Sequence, residues 1–177
     1  KREFLLEKIG RSPAKFDDKR LLYLNNYYIK NMQNKAILNY INKHNLDIKD
    51  KKLFNESKLL ELVKLYKERS STLNEIVLNI KNITSMKIDF TKEESEILDN
   101  FEKYKKTVIN KFSDIIEWNE VNIEKLIKDV VDYYDTSFKT IAQPLRLLTT
   151  GYIFGPSLSK IIEILGSEVV IQRINRK

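Results

Sequence analysis

The sequence predicts an all-α fold, and three observations lead there. Gly 4 and Pro 3 together make about 4% of the 177 residues, where roughly 12% is ordinary. A β-rich fold or a Gly-looped nucleotide fold needs more turn and phosphate-loop glycines than this. Apolar residues recur three and four apart through most of the chain. Several of the periodic segments also start at Asp, Asn or Thr, twice with Glu three residues on, the pattern that caps a helix N-terminus.

The first segment turns at Gly10-Arg11-Ser12-Pro13, because Pro13 biases Ser12 away from the helical region. Asp17 is the expected N-cap of a helix carrying Leu21, Leu22, Leu24, Tyr28, Ile29 and Met32 at helical spacing. Ile37, Leu38 and Ile41 predict a short helix, followed by a polar connection around Leu46 and Ile48. Asn55 to Arg69 reads as an amphipathic helix with Leu59, Leu60, Val63 and Tyr66 on one face. Ser70-Ser71-Thr72 interrupts it, and Thr72 with Glu75 is a capping box, so Arg69 falls at a helix end beside a break.

Periodicity fades over residues 82–91, the expected junction between a first subdomain, 1–84, and a second, 85–177. Thr91 with Glu94 repeats the capping box and opens a helix through Ile97, Leu98, Phe101, Tyr104 and Val108. Phe112, Ile115, Ile116 and Trp118 lead to Asn119, a further N-cap, whose helix carries Val121, Leu126, Val130 and Tyr134. The last 45 residues or so hold three of the four glycines. There an apolar, basic helix is expected around Arg146, with Pro144 in its first turn and Gly151 as its C-cap. A second helix is expected from Pro156 at its first position to just before Gly166, and a third from Glu168 to Ile174.

Composition narrows the chemistry. Cys is absent and His occurs once, which excludes a disulfide framework, a Cys-containing zinc site and a Cys nucleophile. His44 lies in a polar stretch and reads as solvated. The acidic pairs Asp17-Asp18 and Glu93-Glu94 sit in first helical turns, where the macrodipole accounts for them. No run of 18 apolar residues exists and the N-terminus lacks a signal peptide, so the expectation is a soluble, cytoplasmic, monomeric protein without membrane contact. The missing initiator Met suggests a piece of something longer. Lys+Arg 32 against Asp+Glu 25 gives +7. The excess of Asn, Ile and Lys also fits AT-rich coding, so the position of the charges carries more than their total. The runs Lys49 to Lys52 and Lys103 to Lys106 read first as solvated faces, and Tyr27-Tyr28 and Tyr133-Tyr134 as pairs with one member each in the core. The helix start at Gly155-Pro156-Ser157-Leu158, with Arg146 on the adjacent helix, offers donors suited to phosphates or splayed-out bases. A plain helix hairpin with ordinary caps fits it as well.

Two ordered motifs add a resemblance. Ser12-Pro13-Ala14-Lys15-Phe16-Asp17, with Lys19, Leu21 and Asn25 to Ile29, resembles the segment that opens the anticodon-binding half of bacterial glutamyl-tRNA synthetases. Gln143-Pro144-Leu145-Arg146, Thr150-Gly151, Gly155-Pro156, Leu158 and Leu165-Gly166 resemble that family's C-terminal signature, and the likeness spans nearly the whole chain. It implies the anticodon-binding helical cage of a class I glutamate–tRNA ligase: all-α, in two small subdomains. It implies the tRNA(Glu) anticodon stem-loop as partner. ATP and Mg²⁺ are then needed only by a catalytic Rossmann domain whose His-Ile-Gly-His-like and Lys-Met-Ser-Lys-Ser-like motifs do not occur here, so this portion alone has no catalytic residues and no cofactor. By the same resemblance Arg69 contacts the third anticodon base, separating C-ending from G-ending anticodons, and Arg146 contacts the anticodon. Pro156 and Leu158 pack around the first anticodon base. Gly155 stands where another member carries a side chain, which leaves only backbone donors to act there. The alternative is a helical protein-interaction domain without RNA specificity.

Overall fold

The computed structural model describes residues 17–43, 54–84 and 89–176. The Gly10 to Pro13 turn, most of the first motif, His44, Leu46, Ile48 and Lys49 to Lys52 lie outside the described residues.

Local capping starts most elements. Asp17 accepts from Arg20 N at 3.1 Å and opens α1 (Asp18–Asn31), and α2 (Asn34–Lys43) follows a three-residue link. Asn55 accepts from Lys58 N at 3.0 Å and opens α3 (Glu56–Lys67), whose inner face is Leu59, Leu62, Val63 and Tyr66. Leu62 thus occupies the core position that the sequence suggested for Leu60, which is only partly buried. At α4 (Leu73–Thr84) the Thr72 hydroxyl accepts from Glu75 N, but the Glu75 carboxylate returns to Ser71 N rather than to Thr72, so the box is one residue wider than expected.

The Thr91–Glu94 box is complete and starts α5 (Lys92–Ser113), which runs on through Phe112. Asn119 caps α6 (Glu120–Tyr133). Ser137 caps α7 (Phe138–Thr150), and Gly151 closes it in the left-handed conformation at φ 79°. Pro144 therefore lies at the seventh residue of α7 and not in the first turn. Ser137 supplies a cap two turns earlier, and the proline costs only the donor to the Thr140 carbonyl. The start of α8 (Leu158–Leu165) also differs: Ser157, with a side-chain acceptor for Lys160 N, is the cap, and Pro156 precedes it. Gly166, at φ 86°, ends α8 and begins α9 (Ser167–Asn175).

These nine helices of the described residues share one core. α3 packs between α2 and α4, while α5, α6, α7 and α9 pack on one another. α8 bridges, touching α3 on one side and α6 and α9 on the other, and α4 also meets α7. Within α1 only Ile29 is buried: Leu21, Leu22, Leu24 and Tyr28 of the expected apolar set are exposed, as is Tyr27. The pair Tyr133-Tyr134 does divide, with Tyr133 exposed and Tyr134 packed edge-on against Tyr104.

One polar side chain holds three of these helices together. Arg173 of α9 is 3% exposed and donates to the carbonyls of Thr149, in the last turn of α7, and Ile83, in the last turn of α4. Burial pulls its pKa down to about 10, which still leaves it charged near neutral pH. Arg173→Met keeps the bulk but leaves two buried carbonyls without a donor, and is expected to cost about 2–5 kcal/mol in urea unfolding. Arg173→Lys, one point donor for two acceptors, falls between. A loss below about 0.5 kcal/mol, the range of ordinary surface changes, contradicts this role for Arg173.

Candidate nucleic-acid interface

The chain break after α3 and the loop between α7 and α8 meet at one place. α3 ends in a turn in which Arg69 N donates to Tyr66 O, so the Arg69 side chain leaves the helix end and reaches solvent, as its position beside a break predicts. Its Nη1 donates to the carbonyl of Gly155 at 3.1 Å, across 86 residues of sequence. Arg146, on α7, approaches the same residue from within: a Cβ at Gly155 would lie 3.0 Å from Arg146 Nη1. Gly155 is thus required for close approach and not for an unusual φ.

The electrostatics are set by Arg146. Its Nη1 is buried and has no hydrogen-bond partner. Burial pushes its pKa below the ordinary arginine value, the Tyr66 hydroxyl pulls it back up, and the charge on Arg69 lowers it again. Tyr66, 5% exposed on α3, is pushed up to about 12, chiefly by burial. The site therefore places two like charges near each other, with the phenol beneath them kept neutral.

The α7–α8 loop is fixed at both ends. Thr150 Oγ1 accepts from Tyr152 N, and the Asn82 side-chain amide on α4 donates to the Tyr152 hydroxyl. Ile153 packs on the core and Pro156 is buried. Ser157 donates to Glu120 Oε1 at 2.7 Å. Between the loop and α3 lies a cleft of 620 Å³ walled by Glu61, Lys64, Glu68, Arg69, Pro156 and Lys160.

Four of the five residues singled out by sequence are brought together here: Arg69, Arg146 and Gly155 through direct approach, and Pro156 in the wall shared with Arg69. Leu158 is 5% exposed and its side chain belongs to the core, so only its backbone at the start of α8 faces the loop. Gly155 was expected to act through backbone donors, yet the group in use is its carbonyl, taken by Arg69. Tyr66, Asn82, Tyr152 and Phe154 escaped the sequence reading. Tyr66 reads as one more apolar core position, and Tyr152 and Phe154 lie in a loop without periodicity. Of the lysine run, Lys105 pairs with Glu102 at 3.5 Å and Lys103 lies over the Tyr104 ring. Neither joins the site.

Comparison with known proteins then decides the family. The family model described as an anticodon binding domain matches residues 29–177. The chain belongs to this family. Among curated relatives, the glutamate–tRNA ligase of Pelagibacter ubique is 35% identical over 98% of this chain and 38% of its own length. That of Buchnera aphidicola subsp. Baizongia pistaciae is 35% identical over 97% of this chain and 36% of its own. The crystal structure of a glutamate tRNA ligase from Elizabethkingia meningosepticum superposes with a TM-score of 0.79 at 24% identity, over 98% of this chain and 34% of that one. The all-α fold is therefore a known anticodon-binding architecture, and the chain spans between a third and two fifths of the length of these relatives. No helix among the described residues is long and apolar enough to cross a membrane.

Two outcomes test the geometry of this anticodon-binding domain. Gly155→Ala is expected to shift the Arg146 guanidinium resonances in ¹H–¹⁵N spectra while changing stability by less than about 1 kcal/mol, because the φ of Gly155 is unremarkable. Unmoved resonances contradict the close approach. For Tyr66 the folded pKa is raised, so the neutral phenol contributes stability that is complete below pH 10 and disappears as pH rises through about 12. An ultraviolet titration of the folded chain should show one tyrosine ionising about two pH units late, and Tyr66→Phe should remove it.

Proposed function

We propose that this chain is the anticodon-reading portion of a glutamate–tRNA ligase, a cytoplasmic monomer that holds the anticodon arm of tRNA(Glu). In this reading residues 1–84 and 85–177 form two anticodon-binding subdomains. Glutamate activation, with its ATP and Mg²⁺, falls to the part of the relatives that this chain does not span. The observation that carries the reading is the meeting of Arg69 and Arg146 at Gly155, with one guanidinium nitrogen left unpaired. Two guanidinium groups gathered at one backbone carbonyl, one of them exposed with donors to spare, suit an anionic, acceptor-rich ligand.

The roles are those the family resemblance implies, and the chemistry of the residues suits them. Arg69 is exposed and uses one nitrogen on Gly155, which leaves further donors for the acceptor edge of a cytosine at the third anticodon position. A guanine there presents a different pattern, and such a distinction is worth about 1–3 kcal/mol. Arg146 contacts the anticodon, and Pro156 with the backbone at Leu158 packs around its first base. The enzyme containing this chain thus rejects glutamine tRNA.

The α1 surface favours a second contact of another kind. Leu21, Leu24 and Tyr28 form an exposed stripe that an RNA backbone does not need, which is the strongest support for the helical interaction-module reading.

A titration against anticodon stem-loops bearing UUC and UUG separates the two. The anticodon reading expects tighter binding to UUC and, for about four neutralised phosphates, a slope of roughly −3 in log K against log salt. Arg146→Ala should weaken UUC binding by about 1–3 kcal/mol. Absence of binding at low salt leaves the interaction module, and equal binding to both stem-loops removes Arg69 as the discriminator.

A further inference from the structure

The α7–α8 loop carries one side chain that the fold does not use. Phe154 is 81% exposed, while its neighbours are committed inward: Ile153 packs on the core, Gly155 gives its carbonyl to Arg69, and Pro156 is buried. Among the described residues Phe154 is the most exposed aromatic and has no ring partner, whereas exposed Tyr27 and Tyr133 each meet a second tyrosine edge-on. A phenyl ring has no polar group to justify exposure, so hydrogen bonding does not explain its place.

Its setting is also rigid. Upstream, Tyr152 is tied through its backbone to Thr150 and through its hydroxyl to Asn82. Downstream, Ser157 caps α8 and binds Glu120. The ring is therefore held out at a fixed point, one residue from the carbonyl where Arg69 docks and beside which Arg146 lies. An aromatic face with guanidinium groups alongside is the pairing that binds an unstacked base in single-stranded RNA: the ring takes the π-face of any base and the cations take its acceptor edge and the backbone.

We infer that Phe154 is a stacking platform for one splayed-out anticodon-loop base, adding a sequence-tolerant contact to the edge recognition by Arg69 and Arg146. This rests on the anticodon-reading function proposed above, and deepens it. The contact is uncharged, so it should leave the salt dependence of binding unchanged while altering affinity at every salt.

The experiment titrates this chain and its variants with the UUC stem-loop at several salt concentrations. Stacking by one base predicts a roughly five- to hundredfold loss for Phe154→Ala, with parallel salt plots and an unchanged melting midpoint. Phe154→Leu, apolar but without a π-face, should lose nearly as much, and Phe154→Trp should bind at least as well as the wild-type chain. Stem-loops made abasic at single positions identify the base, because the matching position costs nothing further in Phe154→Ala. Wild-type affinity in Phe154→Ala or Phe154→Leu overturns the platform while leaving the anticodon reading intact. If the wild-type chain binds no stem-loop, the anticodon reading falls and the platform with it.

Discussion

A single buried guanidinium holds this molecule in register. The Nη groups of Arg173 donate to the C-terminal ends of two helices, α7 through Thr149 and α4 through Ile83. Each helix C-terminus carries roughly half a negative charge in its unpaired carbonyls, so two of them together offset about one positive charge. The same contact satisfies acceptors that a helix end otherwise leaves open. α4 lies before the expected junction at residues 82–91, and α7 and α9 lie after it. Arg173 thus ties residues on both sides of that junction together, one of them at the end of α7 that leads into the α7–α8 loop.

Because that frame is rigid, the α7–α8 loop can carry strained electrostatics. The charge on Arg69 lowers the pKa of Arg146, and neither side chain forms a salt bridge among the described residues. Arg69 reaches a neutral carbonyl; Arg146 meets the neutral Tyr66 hydroxyl, which burial keeps protonated. Of the acidic residues of the neighbouring cleft, Glu61 lies 3.6 Å from Lys160, which also pairs with Glu163, and Glu68 lines the wall together with Arg69. The positive charge gathered at Gly155 is neutralised by no salt bridge among the described residues. A polyanion with acceptor-rich base edges relieves it, and an acidic peptide would relieve the charge without using the shape of the loop.

What the sequence disclosed follows the range of the interactions. Caps at Asp17, Thr91 and Asn119 were legible because the acceptor and its donor lie three residues apart. The same logic misplaced α7, where Ser137 caps without a Glu to announce it, and α8, where Pro156 looked like a helical position but Ser157 had the better acceptor. Periodicity marked α1 as a helix but could not tell which stripe is covered. Ile29 is buried and Asn26 donates to Ser70 O, whereas Leu21, Leu24 and Tyr28 face outward. Arg146 and Gly155 were legible as a basic helix beside a helix start, but the role of Arg69 came from resemblance, and no spacing rule links it to residues so far away. Tyr66, Asn82, Tyr152 and Arg173 act through contacts that only the fold creates.

Gly155 shows how these levels combine. At φ outside the left-handed region, nothing in its backbone demands glycine; the demand comes from Arg146 Nη1, 3.0 Å from where a Cβ would stand. A side chain at this position could reach a ligand itself, at the cost of moving the guanidinium away from the loop. Without one, the guanidinium sits against bare backbone, and Arg69 takes the carbonyl exposed on the other side. The loop thereby exchanges one recognition group for the approach of two cations, and leaves the neighbouring Phe154 as the side chain that projects. On the proposed anticodon reading, edge recognition at this site falls to arginines borne by α7 and by the end of α3, both elements held by the packed core, with Phe154 as the loop side chain that adds to it. That is the arrangement expected where affinity must come from groups ordered before the ligand arrives.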